Sequence, residues 1–225
     1  MVVLANAVIL GYCDLAAAGT RLLQHVSMDD TVVVEDTIDV HNIELRVRNY
    51  ITSSNCAPVV SVVIIPTVVP ADECTLFGAA LTDVLAEKRV LLLTSLSVPM
   101  TSDEEACVFW KQYHAATPLS LPDIDFEPIP ANRWTIKDQL LCTCLHFFQV
   151  EQLETTVLVV RGYKFGNKAT DGTAEVLLKL GRALPTVLQA LKMASKVDVD
   201  LRAAAAAPVA SSPSELSSTH SLLYN

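Results

Sequence analysis

A chain of 225 residues with 51% hydrophobic side chains has ample material for a full core, as one large α/β domain or two small ones. Its net charge of -9 and the scatter of its 16 Lys and Arg exclude the basic stripe that phosphate binding needs, so no nucleic-acid partner is expected. The longest internal apolar run, residues 57–69, is broken by Pro66 and falls short of the ~20 residues of a membrane helix, so no membrane contact is expected either.

The apolar start, residues 1–12, reads as a buried first strand rather than a signal peptide, because no Lys or Arg precedes Arg21 and Asp14 interrupts the stretch. Beta-branched runs follow at residues 31–36, 43–51, 59–65, 89–95 and 155–161. Several are apolar without strict alternation, the pattern of strands covered on both faces. Pro70-Ala71-Asp72 opens a helix whose inner face carries Leu76, Phe77, Ala80, Leu81, Val84 and Leu85. Thr135 and Asp138 form a capping-box-like start for a second, with Ile136, Leu140, Leu141, Cys144, Leu145 and Phe148 inside. A third begins at Asp171 and meets Pro185, which kinks it or starts a new segment. Apolar residues on both its sides make this helix a candidate dimer surface.

Strands and helices alternating in the later part of the chain imply parallel pairing with helices on both faces of a sheet. The expected fold is a three-layer α/β/α domain over residues 1–202 with a mixed, largely parallel sheet, whose N-terminal strands form a mixed or antiparallel part. The proline-rich residues 118–130 read as a long connection, functional or mobile. Residues 203–218 are Ala, Ser and Pro with little to bury, so residues 203–225 are expected to form a flexible tail.

No motif for catalysis, metal or cofactor emerges. Residues 162–168 follow a strand and precede a helix, but only three residues separate Gly162 from Gly166 and Asn167 stands where a phosphate loop needs lysine. Cys142, Cys144 and His146 fall on one helix, where Cys144 points away from the other two. All six cysteines (Cys13, Cys56, Cys74, Cys107, Cys142 and Cys144) read as reduced, buried thiols of an intracellular protein. His25, His41, His114 and His220 lie in polar or boundary contexts. No G-x-S-x-G elbow and no H-E-x-x-H is present.

The tail ends on Leu223-Tyr224-Asn225, large side chains where the preceding residues bury none. An aliphatic, an aromatic ring with a hydroxyl and a terminal carboxylate suit insertion into another protein's pocket. This triplet, with residues 61–96 and 138–164, resembles the proteasome assembly chaperone family, on the side of the subunit that pairs with assembly chaperone 2. Assembly chaperone 2 itself, which shares the fold, is the near alternative. The resemblance implies a fold similar to nucleoside phosphorylases without their catalysis, and a cytoplasmic, also nuclear, protein. It implies a heterodimer on the ring of proteasome α subunits during assembly of the 20S core particle. In that reading Leu223 is the apolar anchor, Tyr224 the ring at the subunit seam, and Asn225 supplies the carboxylate that meets a pocket lysine. A nucleosidase- or phosphorylase-like enzyme on the same scaffold is the alternative from another class. The apolar stock also predicts that the chain by itself self-associates or dissolves poorly.

Overall fold

Strand β1 (Ala7–Tyr12) is buried at every position, Val8 and Leu10 in one core and Ala7 and Ile9 in another. A strand with two buried faces has no polar side to alternate with, which is why its sequence is a continuous apolar run. The computed structural model describes residues 2–14, 17–53, 57–98, 107–122, 125–130, 134–162 and 171–207.

In chain order the elements are β1, α1 (Ala18–Leu23), β2 (Val26–Met28), β3 (Thr31–Val40), β4 (Ile43–Thr52), β5 (Pro58–Ile65), α2 (Cys74–Val84) and β6 (Arg89–Leu96). Then come β7 (Val108–Tyr113), β8 (Phe126–Pro128), α3 (Gln139–Val150), β9 (Thr155–Arg161), α4 (Asp171–Ala190), β10 (Val197–Val199) and α5 (Leu201–Ala206). Eight strands form one sheet in the order β3-β4-β5-β1-β6-β9-β7-β8, and β10 pairs with β2 in a small ribbon. The pairings β5·β1, β1·β6, β6·β9 and β7·β8 are parallel, whereas β3·β4, β4·β5 and β7·β9 are antiparallel. The sheet is therefore mixed, with a parallel centre and an antiparallel N-terminal wing, as expected.

Helices α2 and α3 pack together over one face, burying Phe77, Leu81, Leu141 and Phe148 against Val8, Leu10, Leu92 and Val157. On the other face, α1, α4 and α5 cover Ile9, Val62, Leu91 and Leu158. Helix α1 approaches β1 closely because two glycines face each other. A Cβ on Gly11 would lie 2.8 Å from the Gly19 carbonyl carbon, and one on Gly19 would lie 3.0 Å from Gly11 Cα.

Several sequence expectations need adjusting. Helix α2 starts at Cys74, because residues around Pro70 form a turn with Glu73 N and Cys74 N donating to Pro70 O. Leu76 is 59% exposed, so it lies outside the inner face assigned to it. Helix α3 begins after Asp138, whose own carboxylate caps it at Leu141 N (2.8 Å); Thr135 and Ile136 precede the helix. Helix α4 runs through Pro185, and its apolar residues Val176, Leu177, Leu180, Leu184, Val187 and Leu188 are consumed by the core. Among the described residues of α4, Leu178 is the one large apolar side chain left exposed, at 37%. Residues 118–130 contain β8, an edge strand rather than only a connection. Residues 203–206, read in the sequence as the start of the tether, are helical in α5, with Ala204 fully buried.

Candidate functional site

In a sheet of this kind a crevice opens at the C-terminal ends of adjacent parallel strands whose following helices lie on opposite faces. Strands β1 and β6 meet that condition, with α1 on one face and α3 on the other. Five polar residues gather there: Tyr12 and Asp14 at the end of β1, Thr94 and Ser95 on β6, and Asp138 at the head of α3. The Tyr12 hydroxyl lies 2.8 Å from Thr94 Oγ1 and donates to Asp138 Oδ2 at 3.1 Å. Asp138 Oδ1 holds Leu141 N, while Asp14 accepts from Ala18 N (2.8 Å) and Ser95 N (2.6 Å).

Both carboxylates are thus engaged in positioning α1, α3 and β6. Burial, and then the negative charges of Asp138 and Asp14, push the Tyr12 phenol well above its usual value, so it stays a neutral donor. Ser95 Oγ is fully buried and has no hydrogen-bond partner among the described residues.

The thiols behave differently from the sequence reading. Cys74 and Cys144 are buried, Cys13 and Cys107 half-buried, and Cys142 exposed on the outer side of α3; Cys56 lies outside the described residues. Burial pushes the Cys144 thiol up to about 12, with Cys74 and Asp138 adding to the effect. Cys13 and Cys74 are also raised by burial, which disfavours the thiolate. Cys142 and His146 are exposed while Cys144 is buried, as the helical spacing predicts. Among the described residues no group of three or more His, Cys, Asp or Glu converges on a metal position. Among them, too, no helix is long and apolar enough to cross a membrane.

The predicted contact residues Leu223, Tyr224 and Asn225, and the loop tip at residues 163–168, lie outside the described residues. What the structure does place is the root of the tail. Asp200 caps α5 at Arg202 N and Ala203 N. Arg21, which is 6% exposed, donates from Nε to Ala204 O at 3.1 Å and from Nη2 to Ala205 O at 2.5 Å. Its guanidinium thereby satisfies carbonyls at the end of α5, and burial lowers its pKa. Leu201 rests on Gly181, where any Cβ would collide with it. Helix α5 is therefore fixed beside α1 and α4. Sequence reasoning missed this anchor because Arg21 and Ala204 are far apart in the chain.

Comparison with known proteins adds a fold. No model of a known family matches the sequence, and no curated protein does. PbaB of Pyrococcus furiosus, described as an archaeal proteasome activator, matches over 91% of this chain and 89% of its own, with 12% identity and a TM-score of 0.54. PbaA of the same organism, described as an archaeal homolog of proteasome-assembly chaperone, matches over 85% and 84%, with 13% identity and a TM-score of 0.44. Purine nucleoside phosphorylase of Toxoplasma gondii matches over 84% and 93%, with 12% identity and a TM-score of 0.44. The likeness to PbaB at this identity establishes a shared fold and nothing further.

Proposed function

We propose that the chain is a non-catalytic assembly factor for the 20S proteasome core particle, working as a heterodimer with assembly chaperone 2 on the α-subunit ring. The observation that carries the reading is the likeness to PbaB, described as an archaeal proteasome activator, over 91% of this chain, beside the triplet Leu223-Tyr224-Asn225. The engagement of Asp14 and Asp138 in internal hydrogen bonds to α1, β6 and α3 supports a structural role for both carboxylates. Helix α5 is anchored, and a flexible tether of the length of residues 207–225 would have a root-mean-square span of about 20–25 Å. It therefore reaches a pocket beside the docked body. Once the body is bound, the tip acts at an effective concentration near millimolar, on the order that lets a weak pocket add measurable avidity.

The test is a titration of purified proteasome α rings at fixed salt. Tyr224→Ala should weaken binding about tenfold or more, with the fold and heterodimer intact. Residues added after Asn225 should do similar harm, because they move the carboxylate while keeping every side chain. An extended protein that binds as tightly as the native one removes the terminal motif from the argument. The enzyme reading is favoured by one observation, the Ser95 Oγ near the C-terminal end of β6, unpartnered among the described residues. Nucleoside cleavage by the purified chain, abolished by Ser95→Ala, would establish it in place of the assembly role.

A further inference from the structure

The two ends of the sheet are not alike. Strand β8 has three residues and ends in Pro128, so it offers little for another strand to join. Strand β3 has ten residues and, among the described residues, no strand pairs with its outer side. Its ladder with β4 closes over two residues, His41 and Asn42, with φ of 47° and 62°. In such a hairpin Val40 and Ile43 exchange both backbone hydrogen bonds, and every second residue repeats the arrangement. Ile38, Asp36, Val34 and Val32 therefore turn their backbone groups toward β4. Thr31, Val33, Glu35, Thr37 and Asp39 turn theirs outward. The direction agrees with Thr37, whose N–H is taken by Asp36 Oδ1 at 2.8 Å.

That bond divides the edge. Beyond Asp36 the strand is blocked by its own carboxylate and lined with acids. Before it, Thr31, Val33 and Glu35 leave open donors and acceptors, flanked by Val32 and Val34 at 63% and 45% exposure. Ile51 stands opposite Val32, and exposed Val59 lies on the same side of the sheet.

We infer that this edge pairs with the same edge of a second copy of the chain, antiparallel and centred on Val33. The open groups at 31, 33 and 35 are symmetric about Val33, so a two-fold axis there satisfies all of them. Val33 meets Val33 of the second copy, and Thr31 meets its Glu35. On the α2 side of the sheet each Val32 comes opposite Val34 of the other copy, and four valines join Ile51 and Val59 in one strip. The pairing stops where the chain itself stops it. Asp30, with φ of 58°, turns the backbone away before Thr31, and Asp36 occupies the edge after Glu35. The joint is a closed, isologous contact that hides the most exposed valines of the strand. It stands apart from the assembly role and needs no proteasome.

Sedimentation of the purified full chain from roughly 1 to 300 µM tests it, in the weak range of small interfaces with Kd of about 10–100 µM. A reversible monomer–dimer equilibrium is expected, tightening as salt screens the repulsion between two bodies of net charge -9. Val34→Lys should raise Kd about tenfold or more without altering circular dichroism or melting, because the side chain is already half in solvent. Val33→Pro should do the same by removing only an outward N–H. Leu76→Lys, an equally exposed aliphatic on α2, should leave Kd unchanged. In hydrogen exchange the amides of Val33 and Glu35 should slow with rising concentration, while those of Val32 and Val34, already bonded to β4, do not. A chain that stays monomeric across the range, or a dimer unmoved by folded Val34→Lys, overturns the inference. Should Val33→Pro fail to fold, Val34→Lys and the exchange pattern decide the matter.

Discussion

The parallel centre of the sheet and its antiparallel wing are built on opposite rules. In the centre, β1, β6 and β9 are buried along nearly their whole length and carry charge only at Arg89 and Arg161, at the outer ends of β6 and β9. In the wing, β3 carries Glu35, Asp36 and Asp39 and is mostly exposed, and its partner β4 alternates buried Leu45 and Val47 with Glu44, Arg46 and Arg48. The centre is held by packing on two faces, so it is intolerant of volume. The wing is held by its hairpin and by a few specific bonds, such as Arg48 Nη1 donating to Leu23 O, Gln24 O and Val26 O. Tolerance should therefore rise steeply from β1 outward to β3.

Breaking the contrast at its strongest point gives the largest effect. Gly11→Val puts a branched side chain where even a Cβ meets Leu23 and the Gly19 backbone within 2.9 Å, so chemical denaturation should show a loss of about 3 kcal/mol or more. A near-native stability would mean that α1 can lift off β1 freely.

The packed centre should also respond to alkali through Cys144. Its folded-state thiol is raised to about 12 from its ordinary value of 9.0, so the stability it contributes is complete below pH 9 and is lost as pH climbs toward 12. Cys144→Ala should flatten that part of the stability-pH curve, measured by urea unfolding at each pH. An unchanged slope would show that Cys144 ionises as easily folded as unfolded.

The smallest effect is expected at the tip of the wing. Asn42 sits at a φ of 62°, which costs a β-branched residue about 1–2 kcal/mol. Asn42→Val should lower stability by about that amount, and Asn42→Gly by almost nothing. If the two variants melt together, the turn is not what holds β3 against β4.

How legible each region was follows from the same contrast. The strands of the centre announced themselves because two buried faces force an uninterrupted apolar run. Helices α2 and α3 did so because Phe77, Leu81, Leu141 and Phe148 recur at helical spacing. The missed elements lack any local signal strong enough to stand alone. Helix α1 has six residues, and β2 and β10 have three each and exist only because Val26 and Val199 are brought together from distant parts of the chain. The alanines of α5 looked like a tether, yet Asp200, Arg21 and Gly181 hold them in place. Strand β7 combines Val108, Phe109 and Trp110 with Lys111 and Gln112, and only its position between β9 and β8 makes it a strand of the sheet.

By itself, then, the sequence determined the α/β class, the central strands and the two helices of one layer, since each depends on residues within a few positions of one another. Tertiary structure alone decided the strand order, the open edge at β3, the anchoring of α5 by Arg21, and the meeting of Tyr12, Thr94 and Asp138. Those features join residues separated by tens to more than a hundred positions, and such partners are selected by packing and by loop closure, which no local pattern of side chains records.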